Sequence, residues 1–233
     1  MQKNISVSVV LPAYNEEANI RRTIGSCIEA CGNLFSEFEI IVVDDGSADN
    51  TAEIVKETGA VNKSVKLIKH PGNLGYGAAL RTGFKASGLD WIFFMDSDGQ
   101  FNPMEISAMV PYLGDNDIVA GYRINRSDNA YRRFLGWTFS RLMNLFFGTG
   151  LRDIDCAFKF LRGNLLRELP LTSEASLINT EILYHARRGK WRVKEIGVHH
   201  FPRVAGEQSG GSLRVIFKSM RENLRLFVRL RLL

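Results

Sequence analysis

The alternation of short β-branched runs with longer amphipathic segments is the feature that most limits the folds open to this chain. Apolar runs of strand length are separated by segments whose apolar residues recur at helical spacing. This order predicts parallel βαβ units, and therefore an α/β fold with an open, doubly wound, mostly parallel sheet. The predicted strands are Val7–Leu11, Glu39–Val43, Val65–Lys69, Trp91–Met95 and Asp117–Gly121, and the predicted helices are Glu16–Ala30, Asn50–Glu57, Gly75–Ala86 and Pro103–Tyr112.

The pattern becomes less regular after about residue 125. An aromatic-rich helix is predicted over 131–147, followed by a turn and a short strand within Asp153–Arg162. A further helix over Ser176–Arg188 and a strand over Trp191–His199 precede a glycine-rich loop at 200–212. The chain therefore does not continue as simple βαβ units to its end.

Composition and charge exclude several classes of protein. The chain has 233 residues, of which 45% are hydrophobic and 24% charged, and this is the composition of a globular domain with a sizeable core. The net charge is +5, but six of the 30 basic residues and only one of the 25 acids lie in 213–233. The neutral body argues against a nucleic-acid partner. The three cysteines fit neither a disulfide framework nor a zinc spacing, which indicates a reducing compartment.

The segment Asp96-Ser97-Asp98-Gly99-Gln100 carries the strongest chemical signal. It directly follows the apolar strand WIFFM, and ligands of open α/β sheets bind beyond the carboxyl ends of the strands. Two carboxylates and an amide oxygen in this position suit magnesium or manganese together with a diphosphate. A solvated acidic turn is the alternative.

Two other strand ends carry polar residues. Asp44 and Asp45 follow the second strand, where they can accept hydrogen bonds from ribose hydroxyls or from a base edge, or else cap the next helix. Tyr14, after the first strand, can contact a base. These positions predict a nucleotide site at the same edge of the sheet.

A glycine pair at 75 and 77 raises the alternative of a dinucleotide-binding dehydrogenase. It follows a predicted strand, opens a helix and has an acid about 20 residues further on. Leu80, however, replaces the third glycine, and the acid at 96 is followed by a second one. This alternative is therefore disfavoured.

Taken in order, LPAYNEE, VVDDGSADNT, NLGYGAALRTG and MDSDGQF resemble the motifs of family 2 inverting glycosyltransferases. The resemblance is closest to dolichyl-phosphate mannose synthases and related polyprenyl-phosphate glycosyltransferases. It extends through GYR at 121–123, DIDCAFKFLR at 153–162 and FPRVAGEQSGG at 201–211, so it covers nearly the whole chain. It implies a GT-A type nucleotide-diphospho-sugar transferase fold over residues 1–212.

The resemblance also implies roles for individual residues. The set that binds the nucleotide sugar is Pro12, Tyr14, Glu16, Asp44, Asp45, Asp96 and Arg203. The set that holds the metal and the diphosphate is Asp96, Asp98 and Gln100, and Arg203 closes over the donor. The residues expected to act in catalysis are Asp98, Arg123 and Arg203.

One departure from the resemblance bears on the acceptor. Members that act on sugar acceptors place an acidic pair, one Asp of which is the general base, at the start of a late helix, whereas this chain has Ile178-Asn179-Thr180-Glu181. A hydroxyl nucleophile needs a base, but a lipid phosphate is already anionic at neutral pH. It needs cations instead, and the candidates are Arg123, Arg132 and Arg133. Asp155 remains an alternative base or a structural cap.

The expected protein is therefore a peripheral enzyme on the cytoplasmic face of a membrane. It would move one sugar, mannose or glucose, from a nucleotide donor to dolichyl or undecaprenyl phosphate, with inversion and with a divalent metal. The alternatives are a family 2 transferase that acts on a saccharide hydroxyl and a non-catalytic subunit that binds nucleotide sugars.

Residues 213–233 form a separate unit in this expectation. Apolar residues recur there at helical spacing, and five basic residues share a second stripe, within roughly 80° on a helical wheel. Such a helix can lie on an anionic membrane surface, or it can dock on the domain or on a membrane-protein subunit.

Overall fold

The computed structural model describes residues 5–124, 137–138, 140–141, 144–148, 150–173 and 177–203. Arg132, Arg133 and the segment 213–233 lie outside these residues, so the predictions made for them remain predictions. The strands are β1 Ser6–Ala13, β2 Glu37–Asp44, β3 Val65–Lys69, β4 Trp91–Met95, β5 Ile118–Ile124, β6 Phe158–Arg162 and β7 Val193–His199. The α-helices are α1 Ile20–Leu34, α2 Thr51–Val61, α3 Tyr76–Ala86, α4 Gly163–Arg167 and α5 Ile178–Arg188.

The described strands form one seven-stranded sheet in the order β3-β2-β1-β4-β6-β5-β7. All neighbouring pairs are parallel except those that involve β6, which runs antiparallel to both β4 and β5. The prediction of an open, mostly parallel sheet is confirmed. The short strand predicted within Asp153–Arg162 is β6, but its antiparallel direction and its place between β4 and β5 were not predicted. They arise because the chain re-enters the sheet at Phe158, opposite Met95, at the carboxyl end of β4.

The core lies at the centre of the sheet, where β1 and β4 are covered on both faces. Every residue of β4 is buried, which explains why its sequence WIFFM does not alternate with polar residues. Phe93 packs against Phe158 and Phe160 with ring centroids 4.8 and 4.6 Å apart. This aromatic contact holds β6 against β4, and so fixes the strand that precedes the Asp96–Gln100 turn.

Two helices cover the sheet through small or apolar residues. In α1, Cys27 and Cys31 lie one turn apart on the buried face, as their spacing predicts, and burial raises the pKa of the Cys31 thiol to about 12. In α3, a Cβ atom on Gly83 would lie 2.3 Å from Val10 Cγ1, so the helix approaches β1 as closely as glycine allows. This contact packs the later part of α3 closely against β1.

The segment 103–112, predicted as one helix, consists of two 3-10 turns, Pro103–Ala108 and Val110–Tyr112. Pro111 lacks the amide proton that an α-helix would use there, and its ring clashes with the preceding turn. Within the described part of the chain, no helix is both long and apolar enough to cross a bilayer.

Candidate active site

Two hydrogen bonds join the loops after β1 and β2 at the carboxyl edge of the sheet. Asn15, with a φ of 55°, donates its backbone N–H to Ser47 Oγ at 2.9 Å, and its Oδ1 atom accepts from the Ala48 N–H at 2.9 Å. Next to these two hydrogen bonds, Tyr14 is 47% exposed, so its ring is accessible to a ligand. The two loops therefore form one wall beside the strand ends.

The two acids after β2, Asp44 and Asp45, bind different partners. Asp45 accepts hydrogen bonds from His70 Nδ1 at 2.7 Å, from the Leu74 N–H at 2.9 Å and from the Gly75 N–H at 2.8 Å. It thus holds the loop that leads into α3. Asp44 is fully buried; its Oδ1 atom accepts from the Ser47 N–H, and its Oδ2 atom lies 3.8 Å from the Lys69 ammonium without a hydrogen bond among the described residues. Both acids are therefore committed to contacts within the protein.

The turn after β4 is fastened to its neighbours through Ser97. The Ser97 hydroxyl donates to the Pro12 carbonyl at 2.6 Å, and the Ser97 carbonyl accepts from Thr23 Oγ1 at 3.1 Å. The turn is thereby tied to β1 and to α1. Pro12 contributes to the site through its backbone, because proline has no side-chain polar group.

Two carboxylates, those of Asp96 and Asp98, lie close together at the start of this turn. Asp96 is surrounded by protein on most sides, and this desolvation, together with the charge of Asp98, raises its pKa to about 7. The hydroxyl of Tyr76 and the cations of Arg123 and Lys159 act in the opposite direction. Two neighbouring carboxylates in a desolvated position are an electrostatic environment that a bound cation would stabilise.

The donor set fits a metal that a substrate helps to hold. Among the described residues, no cluster of three His, Cys, Asp or Glu side chains could hold a metal by itself. Asp96 and Asp98 offer carboxylates, and Gln100 donates its Nε2 to the Phe201 carbonyl at 3.1 Å, which leaves its amide oxygen as an acceptor. Magnesium is commonly bound in this way, by one or two carboxylates and substrate phosphates.

Arg203 reaches this acidic turn from the segment that follows β7. Its Nη2 atom lies 2.7 Å from Glu16 Oε1 and 3.4 Å from Asp98 Oδ2. Burial raises the pKa of Glu16, although the Asn19 hydrogen bond and the Arg203 charge oppose the shift. The predicted residues Glu16, Asp98 and Arg203 thus meet in one cluster.

Arg123 is held by a partner that the sequence did not indicate. Its Nε and Nη2 atoms each donate to the Asp153 carboxylate at 2.7 Å, and its backbone N–H donates to the same carboxylate at 3.2 Å. This pairing outweighs burial and raises the pKa of the guanidinium above its ordinary value. Asp153 lies in the DIDC motif, and the motif was the only signal available for it.

Lys159 is a second residue that sequence reasoning missed. It is 1% exposed, and its Nζ atom donates to the carbonyls of Ile154 and Cys156 and to Asn179 Oδ1. Burial lowers the pKa of this amine, and the three acceptors match the three donors of an ammonium group. A lysine inside the apolar strand FKFLR was the available signal.

The start of α5 carries one buried carboxylate that is fully engaged. Glu181 accepts hydrogen bonds from the backbone and hydroxyl of Thr172 at 3.1 and 2.9 Å, and from the Ser173 N–H at 2.9 Å. Glu181 is only 1% exposed. Glu181 therefore fastens the loop before the helix and is not placed to take a proton from an acceptor.

Comparison with known families agrees with the geometry of this site. The family model described as Glycosyl transferase family 2 matches residues 8–169, which include the Asp44–Asp45 and Asp96–Gln100 segments. The chain belongs to this family. The resemblance of its motifs to family 2 glycosyltransferases is thereby confirmed.

One curated relative of this family 2 chain is the undecaprenyl-phosphate 4-deoxy-4-formamido-L-arabinose transferase of Pseudomonas fluorescens (strain SBW25). The two are 34% identical over 216 residues, which are 90% of this chain and 61% of the relative. The chain thus spans about three-fifths of the relative's length.

Solved structures confirm the nucleotide-sugar transferase fold of this family 2 chain. Glucosyl-3-phosphoglycerate synthase from Mycobacterium tuberculosis, in complex with Mn2+ and UDP-glucose, matches with a TM-score of 0.69 at 20% identity, over 94% of this chain and 77% of that chain. The same enzyme with Mg2+ and UDP matches with a TM-score of 0.66 at 20% identity, over 87% and 73% of the two chains.

Proposed function

We propose that this protein transfers one sugar from a nucleoside diphosphate sugar to a polyprenyl phosphate, with inversion at the anomeric carbon. The observation that carries the proposal is the cluster at the carboxyl end of β4, where Asp98 lies 3.4 Å from the Arg203 guanidinium and is close enough to raise the pKa of Asp96. This arrangement of acids and a cation suits a metal-bound diphosphate leaving group. Membership of family 2 supports the sugar transfer, and the name of the curated relative supports the lipid phosphate.

The donor side of the proposal uses residues of the first, second and fourth strand ends. The exposed Tyr14 contacts the nucleoside, beside the loop after β2 that begins with Asp44 and Asp45, and Arg203 stabilises the negative charge that develops on the departing diphosphate. Asp96, Asp98 and Gln100 would hold Mg2+ or Mn2+, whose charge offsets that of the diphosphate. Complexes of the M. tuberculosis synthase with Mn2+ or Mg2+ support a divalent metal.

The acceptor side of the proposal needs no general base. The Glu181 carboxylate at the start of α5 is occupied by Thr172 and Ser173, and a phosphate oxygen is a nucleophile without losing a proton. Arg123 orients and partly neutralises the lipid phosphate. Asp153 takes two of its five N–H donors and leaves the others for the acceptor.

The sugar and the place of action are the finer parts of the proposal. We assign mannose or glucose as the sugar and undecaprenyl or dolichyl phosphate as the acceptor. The formamido-arabinose in the relative's name is a second candidate for the sugar. The enzyme would work at the cytoplasmic face of a membrane, where residues 213–233 bind the surface or a membrane-protein subunit.

A transfer assay on a panel of substrates tests this proposal. The donors are GDP-mannose, UDP-glucose and UDP-4-deoxy-4-formamido-L-arabinose, and the acceptors are undecaprenyl phosphate, dolichyl phosphate, undecaprenol and a free saccharide. We expect transfer to a polyprenyl phosphate in the presence of Mn2+ or Mg2+, loss of transfer with a chelator, and no transfer to undecaprenol. Asp98→Asn should lower the rate at least ~100-fold, because one charged ligand of the leaving group disappears.

Asp115→Asn, a change of the same chemistry in an exposed turn, serves as the control and should leave the rate unchanged. Transfer to the saccharide alone would favour the hydroxyl-acceptor alternative. Binding of a donor without turnover on any acceptor would favour a non-catalytic subunit. Full activity in excess chelator would remove the metal from the mechanism.

A further inference from the structure

The carboxylate of Glu16 is occupied by the protein's own side chains. Oε1 accepts a hydrogen bond from Arg203 Nη2 at 2.7 Å, and Oε2 accepts one from Asn19 Nδ2 at 2.7 Å. The side chain is only 10% exposed. Glu16 therefore offers little free surface to a nucleoside, which is the ligand that the family resemblance assigns to it.

The backbone of Glu16 is fixed as firmly as its side chain. Its N–H donates to Thr51 Oγ1 in α2 at 2.8 Å. Its carbonyl accepts from the Asn19 and Ile20 N–H groups at 2.9 and 2.8 Å, at the beginning of α1. The carboxylate thus projects from a rigid junction between two helices, and rigid support is what a group that orients another side chain requires.

Arg203 is delivered to Glu16 by a second set of contacts. The Phe201 N–H donates to the Gln100 carbonyl at 2.8 Å, and Gln100 Nε2 donates back to the Phe201 carbonyl at 3.1 Å. These two bonds bring the segment after β7 over the Asp96–Gln100 turn. The guanidinium then lies 2.7 Å from Glu16 but 3.4 Å from Asp98, so Glu16 is its closer partner.

We propose that Glu16 is a positioning residue: it holds the Arg203 guanidinium beside Asp98, where the diphosphate of the donor binds, and does not itself bind the nucleoside. This inference rests on the proposed function, because it needs a diphosphate at Asp98. An arginine has many rotamers, and fixing one of them before the donor arrives removes an ordering cost from the binding of the diphosphate.

The two roles of Glu16 make different predictions for monophosphates and diphosphates. If Glu16 contacts the nucleoside, its substitution should weaken the binding of UMP and UDP equally, and likewise that of GMP and GDP. If Glu16 acts by positioning Arg203, its substitution should weaken mainly the binding of the diphosphates. Titration calorimetry of the full chain with these four nucleotides and Mn2+ separates the two cases, when it is applied to wild type, Glu16→Gln, Arg203→Gln and the double variant.

We expect Glu16→Gln to weaken diphosphate binding about tenfold and monophosphate binding less than about twofold, since glutamine keeps an acceptor oxygen but loses the charge that strengthens the hydrogen bond to Arg203. In the Arg203→Gln background the same change should have almost no further effect, because coupled residues are not additive. Glu17→Gln is the matched control: Glu17 lies in the same loop, is exposed and accepts hydrogen bonds from Asn50, and its loss should leave both affinities unchanged.

Equal losses for the monophosphate and the diphosphate, or a loss that persists in full without Arg203, would overturn the inference while the proposed function stands. Failure of the wild type to bind either diphosphate would overturn the proposed function, and this inference with it. If Glu16→Gln does not fold, Glu16→Asp serves instead. It keeps the charge but withdraws the carboxylate from Arg203, and it should also weaken the diphosphate selectively.

Discussion

Asp153→Asn is expected to destabilise the protein by removing the carboxylate that is hydrogen-bonded to the Arg123 guanidinium. The carboxylate accepts two side-chain hydrogen bonds of 2.7 Å and one backbone hydrogen bond of 3.2 Å from Arg123. The Arg123 and Asp153 side chains are 15% and 11% exposed, so solvent replaces little of what is lost. Removing one partner of such a buried pair costs about 3–5 kcal/mol, because an uncompensated charge remains.

Asparagine keeps one acceptor oxygen, so we expect a loss near the lower limit, about 3 kcal/mol in the free energy of unfolding. With a urea slope of about 2 kcal/mol per M, the midpoint should fall by about 1.5 M. Urea unfolding followed by tryptophan fluorescence measures this shift. Adding Arg123→Met to Asp153→Asn should restore part of the stability, because the stranded charge is then removed as well.

Asp115→Asn, in an exposed turn, is the control and should change the free energy of unfolding by less than about 0.5 kcal/mol. A loss below about 1 kcal/mol for Asp153→Asn would refute the argument, since the pair would then contribute no more than an exposed ion pair. So would a double variant whose loss equals the sum of the two single losses.

Three further predictions concern the acceptor, the membrane and acid stability. Arg123→Ala should weaken the use of lipid phosphate in kinetic assays more than it weakens donor binding; the reverse would place Arg123 on the donor side. Deletion of 213–233 should abolish salt-sensitive binding to anionic liposomes, and equal binding to neutral vesicles would contradict an electrostatic anchor. Burial raises the pKa of Glu39, but hydrogen bonds from Gly88, Lys66 and Ser8 outweigh burial and hold this pKa below 4.5. The ionised Glu39 carboxylate therefore stabilises the fold above pH 4.5, and this stabilisation disappears as the pH falls through the folded-state pKa. Glu39→Gln should therefore reduce the loss of stability between about pH 5 and pH 3 in urea titrations, and an unchanged profile would contradict this.

The parts of the fold that were predictable are those encoded by local pattern. The strand WIFFM and the acids after it were visible because an apolar run followed by Asp96 and Asp98 is a continuous stretch of sequence. The antiparallel course of β6 was not visible, because it depends on where the chain returns after residue 157. Similarly, 103–112 was periodic enough to predict a helix, but Pro111 confines it to 3-10 turns.

The candidate site shows the same division between local and non-local information. Arg203 and Glu16 were both selected by their motifs, yet they are 187 residues apart and nothing in the sequence indicates that they pair. Asp45 was predicted to face a nucleoside, whereas its carboxylate holds His70 and the loop before α3. Sequence motifs thus identified which residues gather at the strand ends, and the structure shows which of them bind one another.

The burial of all three cysteines makes the native protein suited to selective labelling. Cys27, Cys31 and Cys156 are buried free thiols, and burial raises the pKa of Cys31 and of Cys156 to about 12. Thiol reagents react with the thiolate, so the native cysteines should stay unmodified while the fold is intact. A single cysteine introduced at Val61, which is 87% exposed at the end of α2, would then be the one reactive thiol among four cysteines. A fluorophore placed there could follow the approach of the enzyme to a lipid surface without any prior removal of cysteines.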